Sequence, residues 1–195
     1  MIDEKPYSQA CENNKPYILD VLINEFKDVK KVLEIGSGTG QHAVHFAANL
    51  PHITWQTADQ LEYHQGIYLW LQEYELSNLL PPIPLSIPND PWPKQSYDAI
   101  FTANTAHIMQ KIQVQFMMQK VSEALPTNGV FCQYGPFTID GEFSSESNAE
   151  FHGKLLASGR GGYRDIEELK AWVDNIQLEN IIEMPANNLM LVWRK

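Results

Sequence analysis

Glu34, Gly36, Gly38 and Gly40 stand on alternate positions of KVLEIGSGTGQH, Lys31 to His42, at the end of an apolar run that reads as a strand. Glycine costs backbone entropy and adds nothing to a core, so its repetition there implies a close backbone approach. A strand that ends in glycines and turns into a helix brings amides and a positive helix end to a ligand at the carboxyl edge of a sheet. Two ligand classes use this device: dinucleotides, through GxGxxG, and S-adenosylmethionine, through ExGxGxG. The third glycine of the first pattern would fall at position 41, which is Gln41, whereas Glu34, Gly36, Gly38 and Gly40 fill the second completely. S-adenosylmethionine lacks a pyrophosphate but carries an amino-acid tail, whose cationic amine Glu34 would help to position. Asp59 lies 19 residues beyond Gly40, where a carboxylate can accept both ribose hydroxyls.

A second group sits in YDAIFTANTAHIM, where Asn104, Thr105 and His107 follow a strand that should end beside the first, at the switch point of the sheet. They are candidates for the reaction centre. The alternatives are that Asn104 or Thr105 caps the next helix and that His107 is a packed ring. NTAH is not the Asn/Asp-Pro-Pro-aromatic signature that grips a planar amide or an adenine amine. His42 and His45 are three apart on one helix face, but HAVH lacks the glutamate of HExxH, so no metal site is expected. His42 is placed near the cofactor tail instead, and Asp140, Glu142 and the following serines lack the spacing of a calcium loop.

The elements that must position these groups alternate between helical and strand periods, as in an α/β sheet. Ile18, Leu19, Leu22, Ile23 and Phe26 form a helical stripe, followed by a strand at Lys31 to Ile35 and a helix at His42 to Leu50. Ile53 to Thr57 reads as a strand and Leu61 to Leu76 as a helix. Six of the twelve prolines fall between Pro81 and Pro93, which restricts any strand there to an edge, at Ile83 to Ile87. Tyr97 to Ala103 is a strand, Met109 to Leu125 a helix and Gly129 to Tyr134 a strand. A long excursion, Gly135 to Asp165, holds a short helix started by Ser147 or Asn148. A helix from Asp165 to about Ile176 precedes two strands, Leu178 to Glu183 and Asn188 to Arg194, joined by MPANN. Parallel strands ending in an antiparallel hairpin predict a Rossmann-like class I methyltransferase fold with a seven-stranded, mostly parallel sheet and helices on both faces.

With 195 residues, 44% hydrophobic and 19% charged, one domain over 1–195 is expected. A formal net charge of −10 disfavours phosphate-driven nucleic-acid binding and favours a small or electropositive partner. Cys11 and Cys132 alone make no disulfide framework. The opening lacks a signal-peptide core and no run approaches the ~18 apolar residues of a membrane helix, so a cytoplasmic location away from membranes is expected.

Nearly the whole chain resembles the methyltransferase-like protein 26 family, through ACENNKPYILDVL, VLEIGSGTGQHAVHFA, WQTAD, ANTAHI, YGPF, SESNAEF, YRD and MPANNLMLVWRK. The resemblance implies cofactor contacts at Glu34, Gly36, Ser37, Gly38, Gly40, Asp59 and Asn104. It makes Asn14, Tyr134, Asn148, Arg164, Asp165, Asn187 and Asn188 candidates for a family-specific pocket, with Asn14, His42 and Thr105 on its cofactor side. The chain departs from the family at Asn13, where an arginine is common, and at Ser86, where an aspartate is usual. If that aspartate binds the adenine amine, Ser86 offers a hydroxyl acceptor in its place. LLASGRGGYRD also lacks an acidic-proline step expected between its leucine and glycine. The expected activity is transfer of the sulfonium methyl of S-adenosylmethionine to an unidentified, small-molecule acceptor, leaving S-adenosylhomocysteine. An oxygen or protonated-amine acceptor needs a base, with His107 the first candidate and Tyr134 or Asp165 the second. The excursion is placed to form an acceptor lid over 135–165, and its glycines suggest mobility. Two other classes stay open: a non-catalytic S-adenosylmethionine-binding regulator or scaffold, and a nicotinamide-dependent oxidoreductase, which Gln41 and the hairpin disfavour.

Overall fold

A computed structural model describes residues 4–195. In chain order the elements are α1 (Gln9–Glu25), β1 (Lys31–Ile35), α2 (Gln41–Asn49), β2 (Thr54–Asp59), α3 (Leu61–Tyr74), β3 (Leu79–Pro84) and β4 (Ala99–Ala103). They continue with α4 (Lys111–Ala124), β5 (Val130–Gly135), β6 (Phe137–Thr138), α5 (Glu146–Ala157), β7 (Arg164–Asp165), α6 (Ile166–Ala171), β8 (Gln177–Met184) and β9 (Asn188–Arg194). Seven strands form one sheet in the order β3-β2-β1-β4-β5-β9-β8. β1 to β5 run parallel, and β9 is antiparallel to both β5 and β8, which is the class I methyltransferase architecture expected from the sequence.

Alternation along the central strands assigns the two core layers. Val32, Phe101, Cys132 and Val192 face α1, α2 and Trp55, whereas Leu33, Ile100, Phe131 and Trp193 face α4 and α6. Both faces are covered. The strand order reverses between β1 and β4, so the carboxyl ends of those two strands open a crevice. The groups in question are delivered there.

Several boundaries differ from the sequence reading, each for a local reason. β3 occupies Leu79–Pro84 rather than 83–87. Prolines lack the N–H of a ladder, but β3 is an edge strand, and side chains of β2 supply donors. Gln56 Nε2 donates to the Pro81 carbonyl at 2.7 Å and Thr57 Oγ1 to that of Leu80 at 2.9 Å, beside a register shift between Gln56 and Ala58. α1 begins two turns before its apolar stripe because Ser8 caps it, accepting from the Cys11 N–H. Ser145, not Ser147 or Asn148, caps α5. The helix expected from Asp165 to Ile176 stops at Ala171, and Asn175 N–H is taken by the Ser122 hydroxyl instead. Within the excursion, β6 and β7 form a two-residue parallel pair.

Candidate functional site

The glycine turn is built by backbone that only glycine adopts cheaply. Gly36, Gly38 and Gly40 all have positive φ, and Gly40 is the N-cap of α2 in the left-handed region. The N–H groups of Gly36 and Ser37 both donate to the Ala58 carbonyl, that of Gly40 to the Ser37 carbonyl, and that of Gly38 to Asp59 Oδ2 at 2.7 Å. These four amides are therefore committed within the protein, and the turn is no nest for a pyrophosphate. A Cβ on Gly38 would meet nothing within 4 Å, so the turn presents open space to a ligand at that point.

Asp59 lines the cavity at the end of β2. Its Oδ1 accepts from the Gln60 N–H at 2.7 Å, so each carboxylate oxygen holds one amide and keeps a free lone pair for a hydroxyl. Burial raises its pKa, partly offset by those two amides. Glu34 is not on the cavity wall. Its Oε2 accepts from Ser37 Oγ at 2.9 Å and Trp55 Nε1 at 3.1 Å, and Ser37 Oγ in turn accepts from the Ala58 N–H. Glu34 thus fixes the glycine turn from behind, and burial pushes its carboxyl up to about 7. Gly40 is likewise structural, with Ile67 Cα 3.3 Å from where its Cβ would lie.

The cavity extends across the carboxyl ends of β1, β4 and β5, with a volume of about 900 Å³, at the upper end of the ~300–1,000 Å³ typical of small-molecule sites. Gly36, Ser37, Gly38, His42, Asn104, Thr105, His107, Asn14 and Tyr134 line it together with Asp59. Ser86 does not; its neighbours Leu85 and Ile87 do, and its own N–H is taken by Asp90.

Asn104 ends β4 in the left-handed conformation, φ 58°, with its N–H on the Tyr134 carbonyl. The short polar side chain of asparagine tolerates this geometry, which turns the chain back over the sheet edge. Thr105 follows and donates to Thr102 Oγ1 at 2.6 Å, since Thr102 donates its own proton to the Ile35 carbonyl. His107 is buried, and among the described residues its Nδ1 has no hydrogen-bond partner. Burial, then the charge of Arg160, lowers its pKa to about 4, so the ring is a neutral imidazole at physiological pH.

A polar chain runs along the opposite wall. His42 Nε2 donates to Asn14 Oδ1 at 2.6 Å, while Asn14 and Asn188 hydrogen-bond the Tyr134 hydroxyl. Burial holds His42 down at about 4 and raises Tyr134, the two amides only partly offsetting that rise. Tyr134 is therefore a phenol, equipped to donate a hydrogen bond rather than to take a proton. His45 turns its ring edge to Phe46 instead of sharing a site with His42.

Asp165 is brought elsewhere. It caps α6 through the Glu167 N–H, and its Oδ2 accepts from Thr138 Oγ1 and the Gly141 N–H, both at 2.8 Å. Burial raises its carboxyl, but these hydrogen bonds prevail and hold it below the usual range. It is off the cavity wall and acts as a brace between β6, β7 and α6. Arg164 also faces inward, to the carbonyls of Gly161 and Gly162. Asn148 joins α5 to the terminal hairpin through the Asn187 carbonyl.

The excursion closes one side of the cavity with Phe151, Arg160 and Tyr163, which the sequence reading did not single out. Gly161 and Gly162 serve contact here, whereas a Cβ on Gly159 would meet nothing within 4 Å. Gly162 N–H donates to the His107 carbonyl at 3.0 Å, and a Cβ on Gly161 would lie 1.8 Å from the Met109 carbonyl oxygen. The signal was present in GRGGY: two backbones in contact need glycine as much as a hinge does. No helix among the described residues is long and apolar enough to cross a membrane.

Residues 5–195 match the family described as "Protein of unknown function (DUF938)". Solved structures share the fold. An O-methyltransferase family 2 protein from Planctomyces limnophilus, in complex with apigenin, superposes with a TM-score of 0.83 at 17% identity, over 95% of this chain and 57% of that one. An O-methyltransferase family protein from Burkholderia thailandensis gives 0.78 at 11% identity, over 93% and 56%. PigF, solved with SAH, gives 0.75 at 16% identity, over 91% and 54%. The chain spans little more than half the length of each of these neighbours.

Proposed function

We propose, for a chain that belongs to the DUF938 family and has the class I methyltransferase fold, an S-adenosylmethionine-dependent methyl transfer to a small-molecule acceptor. The observation that carries this reading is Asp59, whose two carboxylate oxygens anchor Gly38 and Gln60 at the head of the cavity, beside a turn in which the amides of Gly36, Ser37, Gly38 and Gly40 are already satisfied. Such a turn suits a ligand with a ribose and no pyrophosphate. The resemblance to the methyltransferase-like protein 26 family and the methyltransferases among the structural neighbours support the same reading.

When bound, the cofactor supplies an electrophilic methyl on a sulfonium. Asp59 would accept from the ribose hydroxyls, Leu85 and Ile87 would flank the base, and Asn14, His42 and Tyr134 would form the polar wall for the amino-acid tail. Positioning and exclusion of water account for most of the acceleration in such a site. His107 is the residue to take the proton of an acceptor hydroxyl, because it is the imidazole on the cavity wall with a ring nitrogen left without a partner among the described residues; burial, which holds it at about 4, makes it a weak base in the empty site. A small acceptor is favoured over nucleic acid by the net charge of −10. The segment 135–165 acts as the acceptor-side wall of one domain.

Calorimetry with S-adenosylmethionine, S-adenosylhomocysteine and NAD tests this directly. Micromolar binding of the first two, lost in Asp59→Ala, is the expected result, a loss of about 3 kcal/mol or more. Binding of NAD alone, or of none of the three, would overturn the assignment.

A further inference from the structure

The cavity sorts its charges. Asp59 is its carboxylate, at the end of β2, and Arg160 is its guanidinium, on the excursion that packs against the turn after β4. Two strand spacings separate these ends of the sheet, on the order of 10 Å. Among the described residues no carboxylate pairs with Arg160, whereas Arg194 and Arg164 each have acidic neighbours. An unpaired guanidinium in a chain of net charge −10 is a directional preference for an anion.

The backbone of Arg160 is held in place, while its side chain is exposed at the cavity. It lies between Gly159 and Gly162, both at positive φ; its N–H donates to the Leu155 carbonyl, and Arg164 ties down the carbonyls of Gly161 and Gly162. Three rings line the cavity with Arg160. His107 lies 6.0 Å from Phe151 and 6.3 Å from Tyr163, centroid to centroid, and Phe151 and Tyr163 are 6.3 Å apart and nearly perpendicular at 70°. Phe151 is 44% exposed although it lines the cavity, so its face is unspent within the fold. Three rings in mutual edge-to-face and tilted contact form one aromatic wall, against whose open face at Phe151 a flat ring can pack.

We propose that the methyl acceptor is a planar aromatic anion, a hydroxylated aromatic carboxylate, whose ring packs against the wall formed by His107, Phe151 and Tyr163 and whose carboxylate pairs with Arg160. The inference rests on the methyltransferase reading and adds the chemical class of its acceptor. Transfer makes a carbon–oxygen bond at the ring hydroxyl and breaks the sulfonium carbon–sulfur bond, and the hydroxyl proton passes to the His107 imidazole. A carboxylate on Arg160 also offsets the positive field that Arg160 casts on His107, which strengthens the base when the acceptor is seated.

The test uses the full chain saturated with S-adenosylhomocysteine. 4-Hydroxybenzoate, 4-hydroxycinnamate and 1-hydroxy-2-naphthoate are titrated against their carboxamides, with Arg160→Gln and Phe151→Ala alongside and thermal melts to confirm folding. The expected result is that at least one acid binds about tenfold or more tighter than its amide, and that Arg160→Gln abolishes this preference while S-adenosylhomocysteine affinity holds. Phe151→Ala should weaken acid and amide alike. If S-adenosylhomocysteine binds but no acid does, or if the preference survives Arg160→Gln, the acceptor class is wrong and the cofactor assignment stands. If Arg160→Gln weakens S-adenosylhomocysteine as much as the acids, Arg160 belongs to the cofactor and the inference falls. Failure of S-adenosylhomocysteine to bind the wild type overturns the methyltransferase reading and this inference with it.

Discussion

At Gly36 the backbone has φ +74°, and a Cβ would lie 2.5 Å from Cγ2 of Thr105. Two separate costs meet at one position: left-handed backbone for an L-residue and a methyl against a methyl. Gly36→Ala should destabilise by about 1–3 kcal/mol and weaken S-adenosylhomocysteine binding in step, because Thr105 must swing off the Thr102 hydroxyl. Thr105→Ser keeps the hydroxyl and removes the methyl. In Gly36→Ala/Thr105→Ser the steric part should return, leaving roughly 1 kcal/mol for the backbone, measurable as coupling in a double-mutant cycle by urea unfolding. Additive single-variant effects would show that the methyl contact is not what requires glycine. The glycine pattern and the spacing to Asp59 were legible because both are local properties of a strand–turn–helix. Glu34 was legible as part of the pattern but not in its place: that it faces Trp55 rather than the cavity depends on the face of β1 it occupies once β2 pairs alongside. Arg160 and Phe151 were not legible as site residues, since only the tertiary contact of the excursion with the turn after β4 brings them to the cavity.

At the scale of elements, the parallel core and the hairpin were read from periodicity, and the misread boundaries fall where side chains replace backbone. β3 carries Pro81, Pro82 and Pro84 and is recognisable as a strand only once Gln56 and Thr57 of β2 are known to supply donors. The first two turns of α1 carry no apolar stripe because their inward face holds Cys11 and Asn14 at the cavity. The excursion gives the testable case. Its glycines suggested mobility from sequence, but Gly161 and Gly162 press against the backbone of His107 to Met109, and Gln110 Nε2 donates to the Gly159 carbonyl at 2.8 Å. Gly161→Ala places a methyl where the Met109 carbonyl oxygen stands, and neither side is a flexible chain end. The segment should lift from the turn. Amide exchange of Glu146 to Tyr163 is expected to speed up by about tenfold or more, while β1, β4 and β5 keep their protection. Unchanged exchange across the segment would mean that the two backbones can part without cost. Because the proposed S-adenosylhomocysteine side of the cavity lies at the ends of β1 and β2, its affinity should change far less than aromatic binding does.

For the whole molecule, buried ionisable groups at the crevice set how stability follows pH. His42 and His107, both lowered to about 4 by burial, bind fewer protons folded than unfolded, so their contribution is present above about 6.5 and is lost as pH falls toward 4. Glu34 acts in the opposite sense. Its carboxyl is raised by burial from 4.5 to about 7, so the folded protein holds that proton longer than the unfolded chain does. Its contribution is full below about 4.5, declines as pH rises, and is gone above about 7. The histidines act on the acid side, and Glu34, with Asp59 raised by burial in the same sense, opposes them. The difference between wild type and Glu34→Gln isolates the Glu34 contribution. The amide oxygen can replace Oε2 as acceptor for both Ser37 and Trp55, and the side chain no longer titrates. Relative to Glu34→Gln, the wild type should therefore lose about 3 kcal/mol of stability between pH 4.5 and 8, roughly 5–10 °C in melting temperature. Parallel melting curves for the two proteins across that range would show that Glu34 keeps an ordinary pKa and that solvent reaches the back of the glycine turn. If the predicted divergence is found, a cationic amine placed near the turn should favour ionised Glu34 and release its proton. Cofactor binding measured by calorimetry in buffers of different ionisation enthalpy would then report proton release below about pH 7 in the wild type and less in Glu34→Gln.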